Sequence, residues 1–218
     1  MGNVVLSIVL CILLPLMLLF VYMDPKNRRM LLAMGTGIVA CLLVYFINSG
    51  LKRLLPMEGS AYSATFVPVV EEFLKFIPIF ILSSVYRQDR RDTAALAFSV
   101  GVGFCVVENY CYLISGAEKA KLLWVISRAV GTGLMHCMSA AVLGLGIFYG
   151  MKEKRIRLQC IGASFCFAVM YHGLYNLLVQ SPTLQAIGLV LPLCTYLFLF
   201  IFLTHNELHK LLPEENRP

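Results

Sequence analysis

Seven apolar stretches, at roughly 3–23, 30–50, 61–85, 93–115, 122–150, 159–180 and 183–204, follow one another with only short polar loops between them. Each is near or above the ~20 residues that carry an α-helix across a bilayer. The expected fold class is therefore all-α: a polytopic transmembrane helix bundle of about seven spans. Composition agrees. Of the 218 residues, 59% are hydrophobic and 14% charged, with a mean hydropathy of +0.80. That is too apolar for an ordinary soluble domain. The first stretch lacks a basic n-region and a small-residue cleavage site and stays apolar for too long, so it reads as an uncleaved span. Without internal repeats or long linkers, residues 1–218 read as a single membrane-embedded domain, with a catalytic core at about 61–180.

The loops set an orientation. Lys26, Arg28 and Arg29 follow the first stretch, Arg87, Arg90 and Arg91 the third, and Lys152, Lys154, Arg155 and Arg157 the fifth, while Lys210 and Arg217 lie in the tail. The alternate loops hold only Lys52, Arg53, Lys119 and Lys121. Basic residues gather on the cytoplasmic side, so the N-terminus is expected outside and the C-terminus in the cytoplasm. The net charge of +6 is accounted for by these loops, and no nucleic-acid partner is expected. Cys11, Cys41, Cys105, Cys111, Cys137, Cys160, Cys166 and Cys194 lie in or beside apolar segments with no CxxC pair, and read as small buried hydrophobes.

Against this background the run Val69-Val70-Glu71-Glu72-Phe73-Leu74-Lys75-Phe76 stands out. A charge near the bilayer centre costs about 2.5–3.5 kcal/mol on insertion scales, so intramembrane ionisable groups are rare and usually functional. Lys75 stands at i+4 from Glu71 and i+3 from Glu72. An ion pair that lets the helix insert would explain Lys75 and one glutamate. It leaves the second carboxyl unpaired in low dielectric, an environment in which enzymes keep general bases.

Other stretches add polar groups at similar depth. Gly101 and Gly103 suit close helix packing, and Phe104 and Glu108 share a face one turn on. Arg128, Thr132, His136 and Ala140 form a stripe at four-residue spacing. His172 and Asn176 are i,i+4, so both are expected to donate to one point, as an oxyanion hole requires. Counted from the outer end of each span at 1.5 Å per residue, Glu71 and Glu72 lie about 15 Å in, Glu108 about 10 Å, His136 about 20 Å and His172 about 12 Å. Four helices thus place acids and imidazoles between the midplane and the outer face. His205 and His209 fall beyond the last span.

The ordered set Glu71-Glu72-x-x-Lys75, Gly103-Phe104-x-x-x-Glu108-Asn109, Arg128 with His136, and His172-x-x-x-Asn176 resembles the PrsW family of intramembrane proteases. That family looks like a branch of a superfamily with the CAAX prenyl-protein proteases, the bacteriocin-processing enzymes and a scaffold subunit of gamma-secretase. The CAAX branch carries a histidine where this chain has Glu108, and arginine where it has Lys75. The resemblance implies a multi-pass enzyme of the bacterial cell membrane. It implies hydrolysis of a peptide bond in a single-span membrane protein, of the anti-sigma-factor kind, on the extracytoplasmic side.

In the expected mechanism Glu71, with Glu72, activates a water, and His136 and Glu108 orient it or move its proton. His172 and Asn176 hold the oxyanion, and Lys75 and Arg128 tune the carboxylates. No cofactor is favoured. The alternative is a catalytic zinc held by Glu72 (or Glu71), His136 and His172, with water fourth. Two other readings are a non-catalytic scaffold subunit and an ion-coupled transporter, since midplane carboxylates also mark ion pathways.

Overall fold

The structure, a computed structural model, describes residues 23–55, 57–86, 89–116 and 128–211. The expected span at 3–23 and residues 122–127 of the fifth lie outside the described residues. Everything regular in the described chain is helical. The long helices are α1 (Pro25–Leu54), α2 (Gly59–Tyr86), α3 (Arg90–Gly116), α4 (Gly133–Lys152), α5 (Arg157–Gln180) and α6 (Gln185–Leu211). A π-helical turn at Arg128–Thr132 leads into α4, and a 3-10 turn at Lys154–Ile156 links α4 to α5.

The helix ends follow from local chemistry. Asp24 caps α1, accepting from the backbone N–H of Lys26 and Asn27 at 3.0 and 3.1 Å, with Pro25 in the first turn. Those N–H groups would otherwise lack partners. Lys52 and Arg53 stand in the last turn of α1, where positive charge suits the helix dipole. Asp89 does for α3 what Asp24 does for α1, accepting from the backbone N–H of Asp92 at 2.7 Å.

Five of the described helical stretches are long and apolar enough to cross a membrane: Pro25–Leu54, Arg90–Tyr112, Arg128–Lys152, Lys154–Gln180 and Gln185–Thr204. The protein is thus a multi-pass membrane protein. Helix α2 has the length, at 28 residues. Any 18 consecutive residues of it contain Glu71, Glu72 and Lys75, so it is the most charged at its middle of the long helices. The helices leave two distinct ends to the bundle. At the basic end lie the starts of α1, α3 and α5. At the opposite end lie the starts of α2, α4 and α6, where the loops carry fewer cations.

Helix α4 is the most buried of the five spans and α6 the least. Glycines let the backbones around α4 approach closely. A Cβ at Gly103 would run into Met34 O of α1, and one at Gly101 would sit 2.7 Å from both Cys137 Cα and His136 O of α4. The two glycines therefore serve opposite faces of α3, which is wedged between α1 and α4. Gly173 plays the same part between α5 and α2, where a Cβ would sit 2.8 Å from Ala64 O. Small residues at such crossings are how membrane helices gain contact without a hydrophobic driving force.

Two expectations change. Cys41, Cys105 and Cys137 are buried, but Cys111, Cys166 and Cys194 are exposed on the apolar outside of the bundle, where a thiol is tolerated as readily as inside. The stripe Arg128–Thr132–His136 is not a straight α-helical one, because Arg128 and Thr132 belong to the wider π turn. Helix α6 runs on to Leu211, so His205 and His209 stand on its continuation.

Candidate active site

Four helices bring six ionisable side chains together at the middle of the bundle. Glu71, Glu72 and Lys75 come from α2, Glu108 from α3, His136 from α4 and His172 from α5. Each follows from its helix's phase. Seven residues of α2 are buried, and three of them are Glu71, Glu72 and Lys75, while Phe73, Ile77 and Ile81 of the same helix face outward. The charges turn inward because the outside is hydrocarbon.

Lys75 is the hub of the deeper half. It is fully buried, and its ammonium lies 2.7 Å from Glu72 Oε1, 3.1 Å from His136 Nδ1 and 3.1 Å from Ser139 Oγ. An ammonium has three hydrogens, and each meets an acceptor. The Phe104 ring lies 5.0 Å from Lys75 Nζ and adds its face to the cation's surroundings. A charged Lys75 has no lone pair, so His136 Nδ1 accepts. Nε2 then carries the hydrogen and donates to Glu108 Oε2 at 2.8 Å. The far oxygen of Glu108 faces Arg128 Nη2 at 3.5 Å, and the Arg128 guanidinium lies 3.7 Å over the Tyr112 ring.

On the other side, Glu72 Oε1 also accepts from His172 Nδ1 at 2.8 Å and from Ser139 Oγ at 3.2 Å. So Nδ1 holds a hydrogen, and in the neutral imidazole Nε2 presents a lone pair. This Nε2 points at Glu71 Oε2, 3.8 Å away, and Glu71 Oε2 is buried with no hydrogen-bond partner. At 3.8 Å the two atoms face each other without a hydrogen bond between them. The His136 and His172 rings lie 5.0 Å apart and nearly perpendicular, at 87°. One donor atom from each of Glu71, His136 and His172 lies within 4.8 Å of the others.

That set fits a metal ion. One carboxylate and two imidazoles are a common donor set for a catalytic zinc, which leaves a position open for water. The unpartnered oxygen of Glu71 and the lone pair of His172 are what a cation between them would satisfy. The carboxylate behind His172 is the usual outer partner that orients a ligating imidazole. His136 fits on one condition: ligation through Nε2 requires its hydrogen to leave and the bond to Glu108 to give way. Of the two glutamates weighed for the zinc set, Glu71 is the one in this cluster; Glu72 Oε1 is taken by Lys75, Ser139 and His172, and its Oε2, also buried without a hydrogen-bond partner, lies outside the set.

A cavity of about 360 Å³ opens from this cluster toward the end of the bundle opposite the basic one. Glu71, Glu108, Arg128, His172 and Asn176 line it, together with Ser63, Tyr112 and Gln180 among others. Glu72, Lys75, His136 and Ser139 lie behind that wall. Asn176 shares the cavity with His172, but the two do not converge as donors. Asn176 Nδ2 donates to Ser63 O of α2 at 3.0 Å, and the hydrogen of His172 is turned away to Glu72.

Sequence reasoning overlooked Ser139, fully buried and bonded to both Lys75 and Glu72. It stands one turn after His136, on the face already singled out, and that spacing was the available signal. Tyr112 and Tyr175 were also missed. The Tyr175 hydroxyl bonds Thr132 Oγ1 at 2.9 Å and so ties α5 to the π turn that carries Arg128.

Neither a curated relative nor a solved structure matches the chain. A family model described as "PrsW family intramembrane metalloprotease" matches residues 25–204, from the first turn of α1 to within a few residues of the end of α6. That match covers most of the chain, so the chain belongs to the PrsW family of intramembrane metalloproteases and is a multi-pass membrane peptidase that acts on membrane proteins.

Proposed function

We propose that this peptidase is a metal-dependent endopeptidase whose ion is held by Glu71, His136 and His172. The observation that carries the reading is the facing pair His172 Nε2 and Glu71 Oε2, 3.8 Å apart with no hydrogen bond between them and His136 alongside. A bound zinc would supply a water of lowered pKa and polarise the scissile carbonyl. The rest of the chemistry falls to the chain. Glu108 faces the cavity and takes the proton of the attacking water, handing it on to the departing amine. Arg128, at 3.5 Å, keeps Glu108 turned toward that water. Asn176 has a second amide hydrogen besides the one given to Ser63, and it donates to the carbonyl oxygen as negative charge develops there. Glu72 and Lys75 keep the imidazoles in place and do not touch the substrate.

A metal-free version, with Glu71 itself activating the water, is favoured by the same unpartnered Glu71 oxygen on the cavity wall. Loss of cleavage on chelation, restored by zinc, supports the metal reading. Full activity in protein shown to be metal-free sinks it.

Seven spans with the N-terminus outside would put the cavity under the outer leaflet of a bacterial cell membrane. The cation-poor loops of the opposite end support that orientation. The substrate is then a single-span protein cut on its extracytoplasmic side, of the anti-sigma-factor class. Comparing membrane fragments from cells carrying the wild type and Glu71→Ala tests both points. A fragment lost in the variant names the substrate, and one cut on the cytoplasmic side contradicts the orientation.

A further inference from the structure

At the basic end, on the side of α4 away from the active-site cavity, a second crevice of about 460 Å³ runs between α1, α3, α4 and α6. Its walls are apolar, with Met30, Phe98, Met138, Tyr196 and Leu199 among them, and its mouth carries Lys26 and Arg91. Along α3 the lining extends from Arg91 to Ser99, a rise of about 12 Å. That is close to half of the ~30 Å hydrocarbon core. The slot therefore has the length and polarity of one lipid leaflet, cationic at the headgroup level and greasy to the midplane.

The mouth keeps a positive surplus. The starts of α1 and α3, which frame it, carry Lys26, Arg28, Arg29, Arg90 and Arg91 against Asp24, Asp89 and Asp92. Of the cations Lys26 and Arg91 line the crevice, while Arg28 donates to Met23 O at 2.7 Å and Arg29 lies 4.7 Å over the Tyr86 ring. The three carboxylates are already engaged: Asp24 and Asp89 cap helices, and Asp92 bridges Lys26 at 2.7 Å. The Lys26 side chain remains 61% exposed. Arg90 is spent on α6, stacked 4.8 Å over Phe202 and donating to Phe202 O.

We propose that this crevice binds an anionic phospholipid of the leaflet at the basic end. One acyl chain fills the slot, and the phosphate meets Lys26 and Arg91. The back wall, Met138 and Ala141, belongs to the helix that carries His136 and Ser139. The lipid thus packs directly behind the active site.

Native mass spectrometry of the full-length protein in detergent tests this, titrating phosphatidylglycerol against phosphatidylcholine of the same acyl chains. The anionic lipid is expected to bind about tenfold more tightly, and Lys26→Gln with Arg91→Gln to bring the ratio near one. Ala95→Trp, which fills the slot from an exposed position, is expected to weaken both lipids. If the double variant unfolds, Arg91→Gln alone is expected to lose about fivefold of the preference. Equal affinity for the two lipids in the wild type overturns the proposal. So does a preference unchanged by the charge variants, or exclusion of both lipids because residues 1–22 or a second copy occupy the crevice.

Discussion

Glu72 Oε1 accepts the Nδ1 hydrogen of His172 at 2.8 Å across a hundred residues of chain, and the same oxygen accepts from Lys75. One carboxylate therefore sets the imidazole's tautomer and balances the buried ammonium. Glu72→Gln keeps the shape but removes the charge. Metal affinity should fall about 10- to 100-fold, as when an outer partner of a ligating histidine is lost. Metal content of purified protein across a zinc-buffer series measures it. Affinity unchanged within twofold would mean that Glu72 does not orient His172.

Glu71 and Glu108 should separate by readout. Glu71→Gln removes a proposed ligand, so both bound metal and cleavage should be lost. Glu108→Gln should keep the metal and slow cleavage about 10²- to 10⁴-fold, the range for a general base. Single-turnover cleavage with metal analysis of the same samples tells them apart. If Glu71→Gln retains stoichiometric metal, the ligand assignment fails.

How much of this was legible beforehand varies residue by residue. Glu71, Glu72, Lys75, Glu108, His136 and His172 were all expected to meet, because a charge in hydrocarbon has nowhere to go but inward. Which of Glu71 and Glu72 faces the cavity was not legible. The two stand about 100° apart on α2, and the rotation of α2 is set by its neighbours. The engagement of Asn176 with Ser63 depends likewise on the register of α5 against α2. Gly173 fixes that register against the Ala64 backbone, a contact between residues far apart in sequence. The π turn at Arg128 leaves no mark in a four-residue spacing. The first expected span lies outside the described residues, so the count of seven rests on the apolar pattern.

Gly101 gives a test that touches no polar group. A Cβ there would press 2.7 Å from His136 O and Cys137 Cα, which are backbone atoms that cannot rotate away. Gly101→Ala should destabilise the protein by about 1–3 kcal/mol and push His136 out of register with Lys75. The expected signs are a lowered melting temperature in detergent and weakened metal binding together. Gly35→Ala, at a position where a Cβ meets nothing within 4 Å among the described residues, is the control and should change neither.

Lys75 is the harshest test of the network. Removing one partner of a buried ion pair leaves the other charge uncompensated and costs about 3–5 kcal/mol. Lys75→Met should therefore destabilise strongly, because Glu72 would keep its charge with only His172 and Ser139 beside it. Adding Glu72→Gln removes that stranded charge, so the double variant should be more stable than Lys75→Met alone. It should still bind metal poorly, since His172 has lost its carboxylate. A double-mutant cycle on melting temperature in detergent measures the coupling. Strict additivity would show that the 2.7 Å contact between Lys75 and Glu72 contributes nothing of its own. A double variant that recovers metal binding along with stability would move the orienting role from Glu72 to another group.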